Sequence, residues 1–360
     1  MRAQLFARIA LIVLAIGGNF FDAQAQPAIP VPKRFPWDQR PPKCFLPGAM
    51  EAAGIYCAAP PNWPNYAETK RRVDRLIIDS DLDLLERAET ELGFSRDRFP
   101  SGQYYFDAWF LSLYTLFTLP NEHLYRLASA WAKAKGEDGY VKLAEALMRY
   151  GEAWVARGTG YANTVTPEAW NIYWRKLREA DKVLDSASDK LKSMGPWHVL
   201  KLRIAYQLPE LKGSRADLLD AASTAWPDYT SIYTTAMRYS LPKWGGSYEE
   251  VDRIARLAVA RSKGMDASMY AVVYERMFSF ECDCILPESA ADWNLMKKGF
   301  RDIEAQGRAD ADTWKFYGKL ACQMRDREEA RRLLELSDRL RAHRRAEPPD
   351  PCREFAFSPT

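Results

Sequence analysis

A glycine-rich turn leads directly into a capped helix in the sequence RGTGYANTVTPEAW at residues 157–170. Thr166 is a favourable N-cap, because its hydroxyl can accept a hydrogen bond from a backbone N–H of the first turn. Pro167 then stands at the first helical position, where its missing N–H costs no hydrogen bond, and Glu168 suits the positive end of the helix dipole. The segment predicts a long helix from Pro167 to about Lys192, preceded by a fixed polar loop.

Helical periodicity continues on both sides of this segment. Apolar residues recur at helical spacing from Tyr66 onward, and no stretch alternates with period two for long enough to predict a strand. Helix openings fall near positions 196, 227, 266 and 312, each followed by an aromatic-bearing helix and an Ala- and Leu-rich partner. A spacing of roughly 30 to 45 residues is typical of helix–turn–helix solenoids. The sequence therefore predicts an all-α fold, a tetratricopeptide-like solenoid of antiparallel helix pairs, without the strict tetratricopeptide signature.

The N-terminus has the pattern of a secretory signal peptide. Arg2 and Arg8 form a basic region before a short apolar run, Ile9 to Ile16, and the small residues Ala23 and Ala25 mark a cleavage site before Gln26. The apolar run is short for a membrane span, and an uncleaved anchor is the alternative. We expect a periplasmic or secreted chain with no stable membrane span after cleavage.

Composition divides the chain into four segments. The signal peptide at 1–25 is followed by an arm at 26–64 that holds ten prolines, which disfavour helix and sheet interiors. The helical-repeat domain is expected at 65–345 and a C-terminal tail at 346–360. The arm is predicted to be extended and pinned by a disulfide.

Six cysteines in an exported chain favour disulfides over free thiols. They are Cys44, Cys57, Cys282, Cys284, Cys322 and Cys352. The first two lie in the Pro-rich arm and are predicted to pair locally. The other four leave two bridges across the C-terminal helices, and their pairing stays open. A structural zinc needs four ligands, and no second Cys- or His-rich half accompanies the Cys-x-Cys at 282–284, so we expect neither a metal nor a cofactor.

Charge is nearly balanced, with 51 Lys and Arg against 48 Asp and Glu. This balance gives no strong long-range field toward nucleic acid or an anionic membrane, so we expect no nucleic-acid partner. Only three histidines are present, which leaves little material for histidine-based catalysis.

The loop at 157–166 is the first candidate binding surface. Arg157, Tyr161 and Asn163 concentrate polar and amphipathic groups beside a helix N-terminus, where an anion or a partner carboxylate can bind. The alternative is a structural helix stop at Gly158 followed by a tight turn.

The second candidate is the segment PKWGGS at 242–247. Lys243 and Trp244 could form a platform for a partner or a glycan. The alternative is a structural corner between helices, in which Ser247 and Glu250 form a capping box.

Both motifs, RGxGYANTVT at 157–166 and PKWGGS at 242–247, resemble an uncharacterised bacterial family that is known only as a domain of unknown function. Its members resemble exported or membrane-associated helical-repeat proteins, and the similarity covers roughly residues 65–280. The resemblance implies a tetratricopeptide-like fold and brings no established activity, so no catalytic residue follows from it.

These patterns favour a binding module or scaffold that recognises a protein or peptide partner in the cell envelope, since solenoids present extended binding surfaces. The alternative is a hydrolase of envelope glycans or peptides that uses paired groove carboxylates such as Glu168 and Glu249. A purely structural role is the third possibility.

Overall fold

The computed structural model describes residues 65–99, 102–119, 121–135, 139–278, 286–307, 309–340 and 350–358. The expected signal peptide, the Pro-rich arm with Cys44 and Cys57, and the Cys282 and Cys284 pair lie outside these ranges. Within them the fold is all-α, as predicted: sixteen α-helices are joined by turns, and the sole extended pairing described is an isolated antiparallel bridge between Arg98 and Tyr104.

The first seven helices reach from the start of the described chain to residue 192. They are α1 Tyr66–Asp79, α2 Leu82–Ala88, α3 Tyr105–Phe117, α4 Glu122–Lys135, α5 Val141–Arg157, α6 Pro167–Asp185 and α7 Asp189–Lys192. A π-helical turn, Glu89–Gly93, continues α2. The remaining helices are α8 Gly195–Gln207, α9 Arg215–Ala225, α10 Thr230–Tyr239, α11 Tyr248–Arg261, α12 Ser268–Phe278, α13 Trp293–Ala305, α14 Ala311–Gln323, α15 Arg327–Leu340 and α16 Pro351–Phe357.

Side-chain caps begin many of these helices. The Thr166 hydroxyl accepts a hydrogen bond from the Ala169 N–H at 3.2 Å, which confirms the predicted start of α6. The predicted end was wrong: α6 stops at Asp185, because Ser188 caps the separate short helix α7. Local capping chemistry therefore placed the start of this helix better than its end.

Helices from α8 onward follow a regular packing order. α8 contacts α10 and α10 contacts α12, while each of them also packs against the helix that follows it in sequence, namely α9, α11 and α13. Upstream, α1 packs on α3, α3 on α5, and α5 on α6, and α3 also reaches α8. The upstream helices thus share a core with the downstream row.

The start of α3 is joined to the start of α10 by aromatic packing. The ring of Phe106 lies 5.0 Å from the ring centroids of both Trp226 and Tyr229, with the planes near perpendicular. Edge-to-face pairs of this kind stabilise by more than their buried area alone. These contacts hold together two helices that are more than a hundred residues apart in sequence.

The C-terminal helix α16 packs on α14 and α15. A disulfide joins Cys322 at the end of α14 to Cys352 in α16, which confirms one bridge among the four cysteines left for the C-terminal helices. The segment at 346–360, predicted as a tail, thus contains a helix that is attached to the domain.

Replacing Gly151 with alanine should destabilise the contact between α5 and the end of α3. A Cβ at Gly151 would lie 2.2 Å from the carbonyl oxygen of Thr118, so the two backbones must move apart. We expect a net loss of about 1–3 kcal/mol in the free energy of unfolding, typical of overpacking, although alanine is the better helix former. Urea denaturation measures this loss in the free energy of unfolding. Gly213→Ala is the matched control, because a Cβ added at Gly213 would meet no neighbouring atom within 4 Å. Equal stability of the two variants would contradict the prediction.

Candidate functional site

The loop after α5 is held by its own hydrogen bonds. Gly158 ends the helix with φ 73°, a conformation that favours glycine, and its N–H donates to the carbonyl of Trp154. A 3₁₀ turn, Ala162–Thr164, follows, and the Thr164 hydroxyl donates to the Tyr161 carbonyl at 2.8 Å. The loop is therefore ordered without help from a partner.

Arg157 is directed into this loop. It is only 9% exposed, and its Nη1 donates to the carbonyls of Gly158 at 3.2 Å and Gly160 at 3.1 Å. Its guanidinium carbon lies 5.2 Å from the ring centroids of both Trp154 and Trp170. Arg157 thus positions the loop, and the outward side chains of the motif are Tyr161, which is 84% exposed, and Asn163.

The segment at 242–247 forms a tight corner between α10 and α11. A 3₁₀ turn, Pro242–Trp244, leads to Gly245 at φ 83°, and a Cβ at Gly246 would lie 2.0 Å from the carbonyl oxygen of Ser240. Ser247 caps α11 by accepting from the Glu250 N–H at 3.2 Å. The predicted N-cap is confirmed, and Lys243 and Trp244 lie exposed at the tip of the corner.

The two segments converge on one side chain, Trp154 of α5. Its ring centroid lies 6.5 Å from that of Trp244 and 5.6 Å from that of Tyr173, and Arg157 packs on it. We call the set Trp154, Arg157, Tyr161, Trp170 and Trp244 the Trp154 surface. The sequence pointed to both motifs but gave no sign that they meet.

Trp170 and Trp174 add an aromatic pair that the sequence analysis missed. Their rings stack with centroids 5.2 Å apart on α6, and both are partly exposed. Residues four apart lie on the same helix face, so their spacing was a usable signal.

A network of hydroxyl and amide groups lies beside these aromatics. The Tyr173 hydroxyl donates to the side-chain Oε1 of Gln207, and the Gln207 Nε2 donates to the hydroxyls of Tyr150 and Tyr239, each at 3.1 Å. Burial raises the pKa of Tyr150 and Tyr173, so both hydroxyls stay protonated at neutral pH. The Tyr239 ring lies 5.8 Å from that of Trp244, which connects the network to the Trp154 surface.

Tyr239 also lines a cavity of about 110 Å³. The other lining residues are Arg203 of α8, Ser231, Thr234, Thr235 and Arg238 of α10, and Arg276 of α12. We call this the arginine cavity. Its three arginines lie 35 and 38 residues apart, close to the repeat spacing, which is the sequence signal that could have found them.

The carboxylates proposed for hydrolysis lie elsewhere. Glu168 and Glu249 are exposed in the first turns of α6 and α11, and neither lines the arginine cavity. Hydrogen bonds from its own backbone N–H and from Ser247 lower the pKa of Glu249, which suits a helix N-terminus and not a general acid.

A second, shallower cavity of about 300 Å³ does contain carboxylates, between α13 and α15. Asp326 pairs with Lys297 at 3.0 Å, and Glu329 pairs with Arg332 at 2.7 Å. Each of these two carboxylates therefore has a cationic partner within the cavity.

Within the described ranges, no three His, Cys, Asp or Glu side chains are grouped so as to hold a metal ion. No described helix is both long and apolar enough to cross a membrane. The chain matches no protein-family model, no curated protein and no solved structure.

Proposed function

We propose that this chain is an exported binding module that recognises a protein or peptide partner in the cell envelope through the Trp154 surface. The observation that supports it most is the convergence of the loop at 157–166 and the corner at 242–247 on Trp154. Tryptophan, tyrosine and arginine are the residues that dominate binding energy at protein interfaces.

Exposure and rigidity both suit this role. Tyr161 is 84% exposed and Trp244 is 38% exposed, so each can bury considerable apolar area against a partner. The loop that carries Tyr161 is already held by Arg157 and Thr164, so little conformational entropy is lost on binding.

We further propose that the helices from α8 onward form a tetratricopeptide-like solenoid. The packing order of α8, α10 and α12, each with its own partner helix, supports this arrangement, because solenoid repeats contact only their neighbours. The similarity of the two motifs to an uncharacterised exported family points to the same architecture.

Export to an oxidising compartment is part of the proposal. The disulfide between Cys322 and Cys352 supports it, since disulfides persist in the periplasm and outside the cell and are rare in the cytosol. A hydrolase receives less support, because Glu168 and Glu249 are exposed at helix starts and do not line the arginine cavity.

Truncating the exposed aromatic side chains should weaken the binding of a partner without unfolding the chain. We expect Tyr161→Ala and Trp244→Ala each to weaken the affinity for the partner by about 30-fold or more, a typical loss for an interface hot spot. The tagged chain from residue 26 is crosslinked in its native envelope, purified, and its stoichiometric companions are quantified. Ile78→Ala on α1, an exposed apolar side chain outside the Trp154 surface, is the matched control.

Two results would contradict the proposal. The first is a stoichiometric partner that both aromatic variants retain. The second is a Trp244→Ala chain that loses its cooperative melting transition, which would identify the corner as purely structural. Arg157→Ala is unsuitable here, because it also removes the hydrogen bonds that hold the loop.

A further inference from the structure

The rings at the Trp154 surface form an unbroken series of contacts. Trp174 stacks on Trp170 with the ring centroids 5.2 Å apart. The ring of Tyr173 lies 5.5 Å from that of Trp170 and 5.6 Å from that of Trp154. Trp244, whose ring lies 6.5 Å from that of Trp154, ends the series at the corner before α11. Trp170, Trp174 and Trp244 are partly exposed, so an elongated ligand that follows the series meets several rings in succession.

The indole N–H groups of this series have no acceptors. Within the described residues, the Nε1 atoms of Trp170, Trp174 and Trp244 form no hydrogen bond, and the buried Nε1 of Trp154 forms none either. An indole N–H is a donor only, so an occupant that displaces water from these groups must bring acceptors. Three tryptophans outside the series do have acceptors, namely Trp197 with the Leu184 carbonyl, Trp226 with the Ser193 carbonyl and Trp293 with the Asp326 carboxylate.

The loop after α5 adds two more neutral groups. Tyr161 is 84% exposed, and neither its hydroxyl nor the exposed side-chain amide of Asn163 forms a hydrogen bond within the part of the chain that the structure describes. Arg157 already donates from Nη1 to the carbonyls of Gly158 and Gly160. The surface therefore offers an occupant aromatic rings and neutral donors.

Polyproline II is the peptide conformation whose hydrogen-bonding groups match these donors. An α-helix uses its carbonyls for its own backbone hydrogen bonds. An ordinary extended strand presents N–H donors beside its carbonyls, and those N–H groups would need acceptors from the surface. A proline-rich chain in the polyproline II conformation has few N–H groups and no internal hydrogen bonds, so its carbonyls are free to accept.

We propose that the occupant of the Trp154 surface is a proline-rich segment of the partner in the polyproline II conformation. This proposal rests on the partner-binding function proposed above and names the chemistry that is recognised. Proline rings pack on the exposed aromatic rings, and backbone carbonyls accept from the indole N–H groups. Arg157 lies 5.2 Å from the ring centroids of both Trp154 and Trp170, so the surface is ordered before binding. The polyproline II chain is ordered in advance as well, which keeps the entropy cost of binding low.

Isothermal titration calorimetry of the chain from residue 26 with decaproline, acetylated and amidated at its ends, tests this proposal. We expect saturable binding to the wild type. Trp170→Phe and Trp244→Phe each keep an aromatic ring and remove one N–H donor, so each should weaken binding by about fivefold. Trp170→Ala removes the ring as well and should weaken binding by about 30-fold or more.

Trp293→Phe is the matched control, because it makes the same substitution at a partly exposed tryptophan of α13 outside the series. Its affinity for decaproline should stay within about twofold of the wild type, since hydrogen bonds outside the binding surface do not contribute to it. A decapeptide of alternating glycine and serine tests for conformation, because it is flexible and lacks proline rings. A hexamer of N-acetylglucosamine tests for a glycan.

Three outcomes would overturn the proposal. They are the absence of saturable decaproline binding to the folded wild-type chain up to about 1 mM, wild-type affinity in both Phe variants, and binding of the glycine–serine peptide or the glycan as tight as that of decaproline. The crosslinking experiment separates this result from the partner-binding function. If Tyr161→Ala and Trp244→Ala release a stoichiometric partner while decaproline does not bind, partner binding stands and only the proline-rich ligand is wrong.

Discussion

Arg98→Met is expected to lower the free energy of unfolding by about 3–5 kcal/mol, the usual effect of removing one partner from a buried ion pair. Arg98 is 4% exposed, and its Nη2 pairs with the carboxylate of Asp228, 130 residues further along the chain. The same guanidinium donates from Nη1 to the Gly102 carbonyl at 2.8 Å and lies 3.6 Å over the ring of Tyr104. The substitution thus removes three contacts at once.

Asp228 explains why the loss is large. Its second oxygen accepts from the Tyr104 hydroxyl at 2.7 Å, so without Arg98 a mostly buried carboxylate keeps only this neutral donor. A buried charge that loses its counter-ion retains its full desolvation cost. The pair also joins the segment before α3 to the segment before α10, so its loss should loosen the contact between upstream and downstream helices.

Urea denaturation measures the change, with Arg126→Met as the matched control. Arg126 pairs with Glu122 on α4, but both side chains are more than 60% exposed, so we expect a loss below about 0.5 kcal/mol. Arg98→Met combined with Asp228→Leu should recover part of the stability, because the unpaired charge is then absent. A loss below about 1 kcal/mol in the single variant would show that solvent reaches Asp228.

Local chemistry explains which helix boundaries could be predicted from the sequence. The N-caps Thr166 and Ser247 act over three residues, so reading them needs no tertiary information. Ser80 shows the limit of this reasoning: a serine is as favourable an N-cap as an aspartate, but Ser80 lies at φ 57° at the end of α1, and Asp81 caps α2 instead. Two neighbouring residues with equal capping ability are separated only by the backbone conformation that packing imposes.

The candidate sites depend on contacts that sequence patterns do not contain. Trp154 contacts Trp244 across ninety residues, and only the packing of α5 beside the α10–α11 corner brings them together. The sequence also does not show that Arg157 turns inward, because the same motif is compatible with an outward guanidinium. The arginine cavity was open to prediction in part, since the spacing of Arg203, Arg238 and Arg276 follows the repeat, but spacing alone does not show which helix faces form one cavity.

Replacing both Cys322 and Cys352 with alanine should lower the free energy of unfolding by about 3–4 kcal/mol. The bridge closes a loop of 30 residues, and removing it returns that closure entropy to the unfolded chain. Noncovalent contacts of α16 persist in the variant: Ala356 is fully buried, and Arg353 pairs with Asp338. Without the bridge, α16 depends on these noncovalent contacts, so we expect it to detach first, at a lower denaturant concentration than the rest of the domain.

Hydrogen exchange at the amides of α16 measures the local detachment of this helix. Urea denaturation under oxidising conditions measures the loss of global stability. Because the other four cysteines stay in place, reductant should destabilise the wild type more than the double variant, and the difference isolates this bridge. Helices α14 to α16 contribute no residue to the Trp154 surface, so the affinity for a partner should be unchanged while the domain stays folded. Equal stability of the two chains under oxidising conditions would contradict the prediction, because closing a loop of this length should stabilise the folded chain. It would show that packing alone holds α16.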